Sequence, residues 1–325
     1  MTAPPVDLLA RDTPLHRIDR LGEELGFAPG RLWMKRDDLT GIAGGGNKAR
    51  KLEWLVADAR DRGCDTLITS GALQSTHVRM TAAAAARHGL VCHGVIYGPP
   101  PDRPQGNLVL DDLLALTAHV VADREDVPDG VAGVTDLVRS TGGTPYVIPG
   151  GGSSAVGAQG YVVAAGEIRD EFAGTPLLVC ALGTAGTYAG LVVGCEDHSD
   201  VMGVDVNAVP GIEDRVPELV AETATVAGRP VPAGDPTIAP GQPEPYGRPT
   251  RPTMDALRLV ATTEGIVLDP VYTGRAMAAL IGAARGGSLD PERPTVFVHT
   301  GGLPGLFVES VTPWISGPSP QPNLG

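Results

Sequence analysis

The sequence predicts an α/β fold in which helices cover parallel sheets, and two observations predict it. Short apolar runs of strand length alternate with longer amphipathic runs of helix length along the chain. Several of the strand-like runs lead into a glycine-containing turn before the next helix-like run, as at Gly71 and Gly183. Repeats of this kind build open α/β sheets, whose ligands lie at the carboxyl ends of the strands.

The predicted elements follow this alternation from the start of the chain. A strand at 31–35 leads into a helix at 49–60, whose Leu52 and Leu55 share one face. The run at 176–181 is apolar throughout, as expected for a strand that is buried on both faces. Further strands are predicted at 66–69, 91–97, 146–148, 201–206 and 295–299. Further helices are predicted at 76–88, 108–118, 253–264 and 274–285, after Ser153 and after Thr187, with an irregular proline-rich segment at 227–252.

Composition and charge exclude several classes of protein. A chain of 325 residues is long enough for one large or two medium domains. The net charge of −13 argues against nucleic acid or an anionic membrane as partner, since both attract a basic surface. The four cysteines lack metal-ligand spacing, so neither a metal site nor a disulfide framework is predicted. Without a secretory signal pattern or an apolar run of membrane-spanning length, a cytoplasmic location is expected.

Lysine is rare in this chain. Only Lys35, Lys48 and Lys51 occur, and arginine accounts for the rest of the 25 basic residues. A lysine amine can lose its proton and attack a carbonyl, and Lys48 follows a run of three glycines, so it is a candidate for Schiff-base chemistry. A base composition that favours arginine codons is the alternative explanation. Lys51 is expected to be a solvated or paired neighbour, and Lys35 to pair with Asp37 or Asp38.

The glycine run and its lysine resemble a known motif. The segment 35–53 is similar to the cofactor-lysine segment of fold-type II pyridoxal-phosphate (PLP) enzymes. The similar branch holds 1-aminocyclopropane-1-carboxylate (ACC) deaminase, D-cysteine desulfhydrase and L-cysteate sulfo-lyase. By this resemblance Lys48 is joined covalently to PLP, and Asn47 binds the same cofactor. The residues agree, because glycines allow close approach of the backbone, and the positive end of a helix lowers the pKa of a lysine amine.

A second segment, 70–79, resembles the family's substrate-carboxylate loop. The resemblance implies that Gln74, Ser75, Thr76 and His77 bind the substrate and that Ser75 faces the reacting amino acid. The family has an asparagine that contacts the phenolic oxygen of the cofactor, and this chain has Thr76 in its place. By themselves, the residues also fit an ordinary strand-to-helix loop in which Ser75 is the N-cap.

A third segment follows the apolar run at 176–181. A glycine-rich turn between a buried strand and a helix offers free N–H groups and the helix dipole to an anion, although a tight packing turn is the alternative. The resemblance implies that this turn binds the cofactor phosphate through Gly183, Thr184, Ala185, Gly186 and Thr187.

The last matching segments surround two tyrosines and two threonines. The resemblance implies that Tyr246 and Tyr272 contact the substrate and that Thr273 and Thr300 bind the cofactor. ACC deaminases have a glutamate where this chain has Thr273. A neutral hydroxyl leaves the pyridine nitrogen unprotonated, which suits β-elimination better than ring opening. Tyr272 is an acid/base candidate or a half-buried tyrosine with a satisfied hydroxyl. Arg251 is a surface change or binds an acidic substrate group.

The resemblance extends over about 15–307 and implies a complete organisation. A large domain of 1–52 plus 161–325 and a small inserted domain of 53–160 enclose the cofactor in a cleft, and two chains form a homodimer. The implied activity is β-elimination from a small amino acid, foremost D-cysteine to pyruvate, ammonia and sulfide, with Lys48, Ser75 and Tyr272 as catalytic residues.

Several alternatives remain open from the sequence. Within catalysis they are ACC deaminase, L-cysteate sulfo-lyase and a β-replacement enzyme. A PLP-binding protein without catalysis belongs to a different class. A nucleotide-binding oxidoreductase would use the Gly183 turn with Asp205, but the turn lacks the GxGxxG spacing.

Overall fold

The chain folds around two separate, mainly parallel sheets. A computed structural model describes residues 3–10 and 12–316. The strands are β1 Leu15–Arg17, β2 Leu32–Lys35, β3 Thr66–Ala72, β4 Val91–Tyr97, β5 Thr117–Val121, β6 Pro145–Val147, β7 Leu177–Leu182, β8 Val201–Asp205, β9 Ile238–Ala239 and β10 Thr295–Val298. The helices are α1 Asp19–Glu24, α2 Lys48–Asp61, α3 Thr76–His88, α4 Asn107–Leu113, α5 Val127–Ser140, α6 Ala155–Arg169, α7 Gly186–Cys195, α8 Ile212–Ala227, α9 Arg251–Glu264, α10 Thr273–Arg285 and α11 Thr312–Ser316.

The two sheets differ in size and in their place along the chain. The larger has the strand order β1-β2-β10-β7-β8-β9, in which only β1 is antiparallel to its neighbour. The smaller is fully parallel, with the order β5-β4-β3-β6. All of its strands fall within the segment 53–160 that is predicted to form the small domain; the exact domain boundaries stay a prediction.

Apolar residues form a separate core around each sheet. Every residue of β7 is buried, as expected for a parallel strand with helices on both faces. Helix α2 lies between the two halves, since Leu52 and Leu55 join the core of the smaller sheet while the helix also packs on α6. Within the described residues, no helix is long and apolar enough to cross a bilayer. The described part of the chain also brings no three His, Cys, Asp or Glu side chains together for a metal ion.

Most predicted elements are found within a few residues of their predicted ends, and the exceptions have physical reasons. The predicted helix 108–118 is wrong beyond Leu113, because the chain turns at Ala115, whose φ is +55°, and enters β5. Strand β5 escaped prediction because it is a sheet edge with largely exposed side chains. Helix α8 escaped prediction because Pro217 interrupts its pattern. The proline-rich segment 227–252 holds only the two-residue strand β9 between α8 and α9.

Candidate functional site

A cavity of about 360 Å³ lies between the two sheets. Its lining comes from segments that follow strands β2, β3, β6, β7, β8 and β10, so the carboxyl ends of both sheets meet there. Among the described residues, every charged side chain of the lining is cationic. Lys48 and Lys51 form its inner end, called the floor below, and the exposed Arg124 and Arg215 form its outer end, called the mouth.

Lys48 is placed at the floor by the turn before α2. Gly45 and Gly46 have φ values of +73° and +130°, which favour glycine, and a Cβ at Gly45 would overlap the carbonyl oxygen of Asp38. The helix then begins at Lys48, so its amine stands at the positive end of α2. Burial lowers the pKa of the Lys48 amine to about 8. An amine with that pKa is partly neutral near pH 7 and is a competent nucleophile.

Lys51 also faces the cavity, and the expectation of a solvated or paired neighbour is wrong. Its side chain is buried, with Nζ 3.2 Å from the carbonyl oxygen of Gly151 and 3.3 Å from Oγ of Ser153. In the described part of the chain, no carboxylate lies within 4 Å of this amine. Burial lowers the pKa of Lys51 well below its ordinary value, and the charge of Lys48 lowers it further.

A buried ion network fixes the helix that carries both lysines. Arg50 donates hydrogen bonds to Asp37 at 2.9 Å and to Glu167 at 2.8 Å. Lys35 lies 2.7 Å from Glu167, so the predicted pairing of Lys35 with Asp37 or Asp38 is wrong. Burial raises the pKa of Asp37, but the charge of Arg50 and hydrogen bonds from Arg50, Tyr161 and Thr13 outweigh it and hold that pKa below its ordinary value. The network joins α2 to β2 and α6.

The loop after β3 brings Ser75, Thr76 and His77 to the cavity. Ser75 is the N-cap of α3, and its Oγ accepts a hydrogen bond from the N–H of Val78 at 3.2 Å. Its hydroxyl proton therefore stays available to a ligand. The first-turn N–H groups of α3 lack partners inside the helix, so they can bind a carboxylate.

His77 is a neutral, buried imidazole behind this loop. Thr69 donates its hydroxyl to the carbonyl of Ile148 at 3.1 Å and therefore accepts from Nε2 of His77 at 2.8 Å. This leaves Nδ1 as an acceptor without a partner among the described residues. Burial lowers the pKa of His77 well below its ordinary value, and the charges of Lys48 and Lys51 lower it further.

The loop after β7 lines the cavity with all five of its predicted residues, Gly183 to Thr187. Ala185 has a φ of +68° and caps α7, which points the first turn of this helix at the cavity. The N–H of Gly186 donates to Oγ of Ser153 at 3.1 Å. A Cβ on Gly186 would lie 2.9 Å from Nζ of Lys51, so the amine meets the positive end of α7 directly. Asn47 donates to Oγ1 of Thr187 at 3.0 Å and joins this loop to the lysine segment.

Two tyrosines face the cavity from the other side. The hydroxyls of Tyr246 and Tyr272 share a short hydrogen bond. Burial raises the pKa of Tyr272 to about 12, and burial followed by the neighbouring Tyr272 raises the pKa of Tyr246. Both are therefore protonated near neutral pH. Thr300, after β10, lines the cavity close to the glycines of the lysine segment.

Three residues that the sequence placed at or near the site lie outside the cavity lining. Gln74 accepts a hydrogen bond from the N–H of Asn107 and holds the loop before α4. The Thr273 hydroxyl donates to Oδ1 of Asp269 at 2.7 Å and accepts from its N–H at 2.8 Å, so it caps α10. Arg251 is 78% exposed and lies 3.9 Å from the carboxylate of Asp255, which fits the surface alternative.

Sequence reasoning missed five residues of the lining: Lys51 as a site residue, Tyr97, Arg124, Ser153 and Arg215. One of them carried a usable signal, because the spacing of three residues places Lys51 on the same helix face as Lys48. The others come from unconnected loops, and no local pattern marks them.

Comparison with known proteins agrees with this geometry. The family described as "Pyridoxal-phosphate dependent enzyme" matches residues 6–301. A protein of Salmonella paratyphi B named D-cysteine desulfhydrase is 41% identical over 320 residues, which cover 94% of this chain and 95% of the relative. Its namesake in Salmonella newport matches over the same extent. A crystal structure described as an ACC deaminase homologue has a TM-score of 0.86 at 35% identity and covers 94% of each chain.

The chain belongs to the family of PLP-dependent enzymes. The predicted family, the fold class of two parallel-sheet α/β domains, and the cofactor PLP are confirmed.

Proposed function

We propose that the chain catalyses β-elimination from D-cysteine, which yields pyruvate, ammonia and sulfide. The proposal agrees with the name of its relatives at 41% identity. The observation that carries it is the position of the Lys48 amine, with a pKa lowered to about 8, in one cavity with Ser75 and the Tyr246–Tyr272 pair. A base, a carboxylate site and a proton donor therefore meet around one small ligand.

The residues present fit PLP. Lys51 and the first turn of α7 form a cationic cradle for a phosphate, with the hydroxyls of Ser153 and Thr184 beside it. Lys48 Nζ would hold the aldehyde carbon, with Asn47 and Thr300 next to the ring. The unpartnered Nδ1 of His77 adds an acceptor. When bound, PLP withdraws electrons from the α carbon of the substrate amine and makes the α proton acidic.

The chain's own groups then handle one proton and one leaving group. The N–H groups at the start of α3 and the Ser75 hydroxyl hold the substrate carboxylate. Once the substrate amine has displaced Lys48, the freed amine takes the α proton. Tyr272, protonated because its pKa is about 12, donates a proton to the departing sulfur, and Tyr246 shares the charge through their hydrogen bond. Water then hydrolyses the released enamine to pyruvate and ammonia.

We also propose a cytoplasmic homodimer. All four cysteines, Cys64, Cys92, Cys180 and Cys195, are free thiols, as expected in a reducing compartment. Leu113 and Phe307 are 79% and 66% exposed, and large apolar side chains on a surface are typical of a protein contact. Size-exclusion chromatography with light scattering at several concentrations tests the dimer. A single monomeric mass throughout would contradict it.

The activity is tested with a substrate panel. Purified protein is incubated with D-cysteine, L-cysteine, β-chloro-D-alanine, D-serine and ACC, and keto acid and sulfide are measured. We expect D-cysteine and β-chloro-D-alanine to yield pyruvate and ACC to yield no keto acid. An absorbance band near the visible range that borohydride abolishes shows that the cofactor is bound. Efficient release of keto acid from ACC, without sulfide from D-cysteine, would transfer the chain to the deaminase alternative.

A further inference from the structure

The cavity has an unusual charge balance for this chain. Asp and Glu together number 38 in the sequence and give a net charge of −13, yet among the described residues neither lines the cavity. Four cations do: Lys48, Lys51, Arg124 and Arg215. A site that excludes every carboxylate while the rest of the surface is acidic is built for anions.

The two inner cations already have work in the proposed reaction. Lys48 serves the aldehyde and the α proton, and Lys51 serves the phosphate beside the first turn of α7. The substrate carboxylate has the N–H groups at the start of α3. Arg124 and Arg215 therefore remain without a role in the β-elimination of a substrate with a neutral β substituent such as a thiol.

Arg124 reaches the mouth from the smaller sheet. It follows β5, and its Nη1 donates a hydrogen bond across the cleft to the carbonyl oxygen of Ala208 at 2.9 Å. Ala208 follows β8 of the larger sheet and also lines the cavity. The neighbouring Asp123 and Asp126 accept or bracket backbone N–H groups in a capping box and lie outside the lining. One guanidinium thus stands at the junction of the two halves.

Arg215 approaches the same mouth from the first turn of α8. In the described part of the chain, neither Arg215 nor Arg124 lies within 4 Å of a carboxylate, whereas Arg17, Arg36, Arg50 and Arg62 all do. Two guanidinium groups on opposite walls, without counter-ions from the chain, match the planar oxygens of a sulfonate, sulfate or phosphate.

We infer that Arg124 and Arg215 select substrates whose β substituent carries an oxyanion. The inference rests on the proposed β-elimination and names its substrate class: alanine derivatives with a sulfonate, sulfate-ester or phosphate-ester group on the β carbon. The bond from the β carbon to sulfur or oxygen breaks, and the leaving group departs with the electron pair as sulfite, sulfate or phosphate. The α proton goes to Lys48, and water hydrolyses the enamine. D-cysteine is the neutral member of this series.

Steady-state kinetics with matched substrates tests this specificity. The holoenzyme and its Arg124→Ala, Arg215→Ala and double variants are measured with D- and L-cysteate, O-phospho-D-serine and β-chloro-D-alanine. We expect kcat/KM for the anionic substrates to fall about tenfold per arginine, with most of the change in KM. For β-chloro-D-alanine it should change less than about threefold. Arg215→Lys should restore part of the loss, since it keeps the charge without the two-pronged geometry.

Arg251→Ala is the control, because Arg251 is a similarly exposed arginine outside the cavity and should change neither class of substrate. An equal loss for anionic and neutral substrates would overturn the inference and make the arginines structural. It would also fail if the unmodified enzyme processed β-chloro-D-alanine but no anionic substrate. If no substrate at all were eliminated while the cofactor band was present, the proposed β-elimination itself would fail instead.

Discussion

The floor and the mouth of the cavity both carry cations, but the chain fixes them in different ways. At the floor, α2 is held by the buried pairs of Arg50 with Asp37 and Glu167, and its lysines stand among glycines that pack against backbone. At the mouth, the arginines are exposed and lack carboxylate partners in the described residues. The floor is therefore a rigid, preorganised site, whereas the mouth is an adaptable one. Chemistry belongs to the first and choice of substrate to the second.

The largest effect should follow from removing the nucleophile at the floor. Lys48→Ala should lower kcat for β-elimination by about a thousandfold or more, since both the covalent attachment and the base disappear. Borohydride reduction of the holoenzyme, followed by peptide mapping, should place the cofactor on Lys48. All three lysines of the chain are buried or face the cavity, so the labelling carries little surface background. A cofactor found on Lys51 would invert the assignment of the two floor lysines.

The next effect tests the phosphate cradle. Gly186→Asp should weaken PLP binding by about a hundredfold, because the new carboxylate repels the phosphate and its Cβ would lie 2.6 Å from Oγ of Ser153. Gly186→Ala separates crowding from charge and should weaken binding less. Fluorescence titration of apoprotein with PLP measures both. If the aspartate variant bound PLP as tightly as the unmodified protein, the phosphate would lie elsewhere.

The same contrast explains what the sequence could predict. Floor residues lie in continuous strand–loop–helix segments, so glycine runs and helix starts are enough to identify Lys48, Ser75 and the loop at 183–187. Lys51 was misjudged because a lysine on a helix is usually solvated, and only packing against α7 shows its burial.

The remaining site residues depend on topology. Arg124 follows an edge strand that the pattern missed, and Arg215 sits in a helix hidden by Pro217. Thr273 was placed at the cofactor by a neighbouring motif, but Asp269 takes up its hydroxyl. Side-chain direction, unlike element type, is set by tertiary packing that no local window of sequence contains.

A smaller effect should come from the tyrosine pair between floor and mouth. Tyr272→Phe should lower kcat for D-cysteine about ten- to a hundredfold, because general acid assistance to the departing sulfur is lost. β-Chloro-D-alanine should be affected less, since chloride leaves without a proton. Tyr97→Phe is the matched control: Tyr97 lines the same cavity, but its hydroxyl has no assigned proton transfer. Equal losses for both substrates would make Tyr272 a binding residue only.

The smallest expected effect is a pH midpoint that should stay constant when the mouth is changed. Below pH 8 the Lys48 amine is largely protonated and cannot attack an aldehyde, so PLP capture by apoprotein should rise with pH through a midpoint near 8. Burial alone lowers that pKa, and the arginines of the mouth take no part. The Arg124→Ala/Arg215→Ala variant should therefore capture PLP more slowly at low salt, because steering of the dianion weakens, with the midpoint unchanged. Stopped-flow absorbance at constant ionic strength measures both quantities. A midpoint near 10.5, the ordinary value for lysine, would show that the floor does not bury the amine. A midpoint that moved by a full unit in the double variant would show that floor and mouth are electrostatically one site.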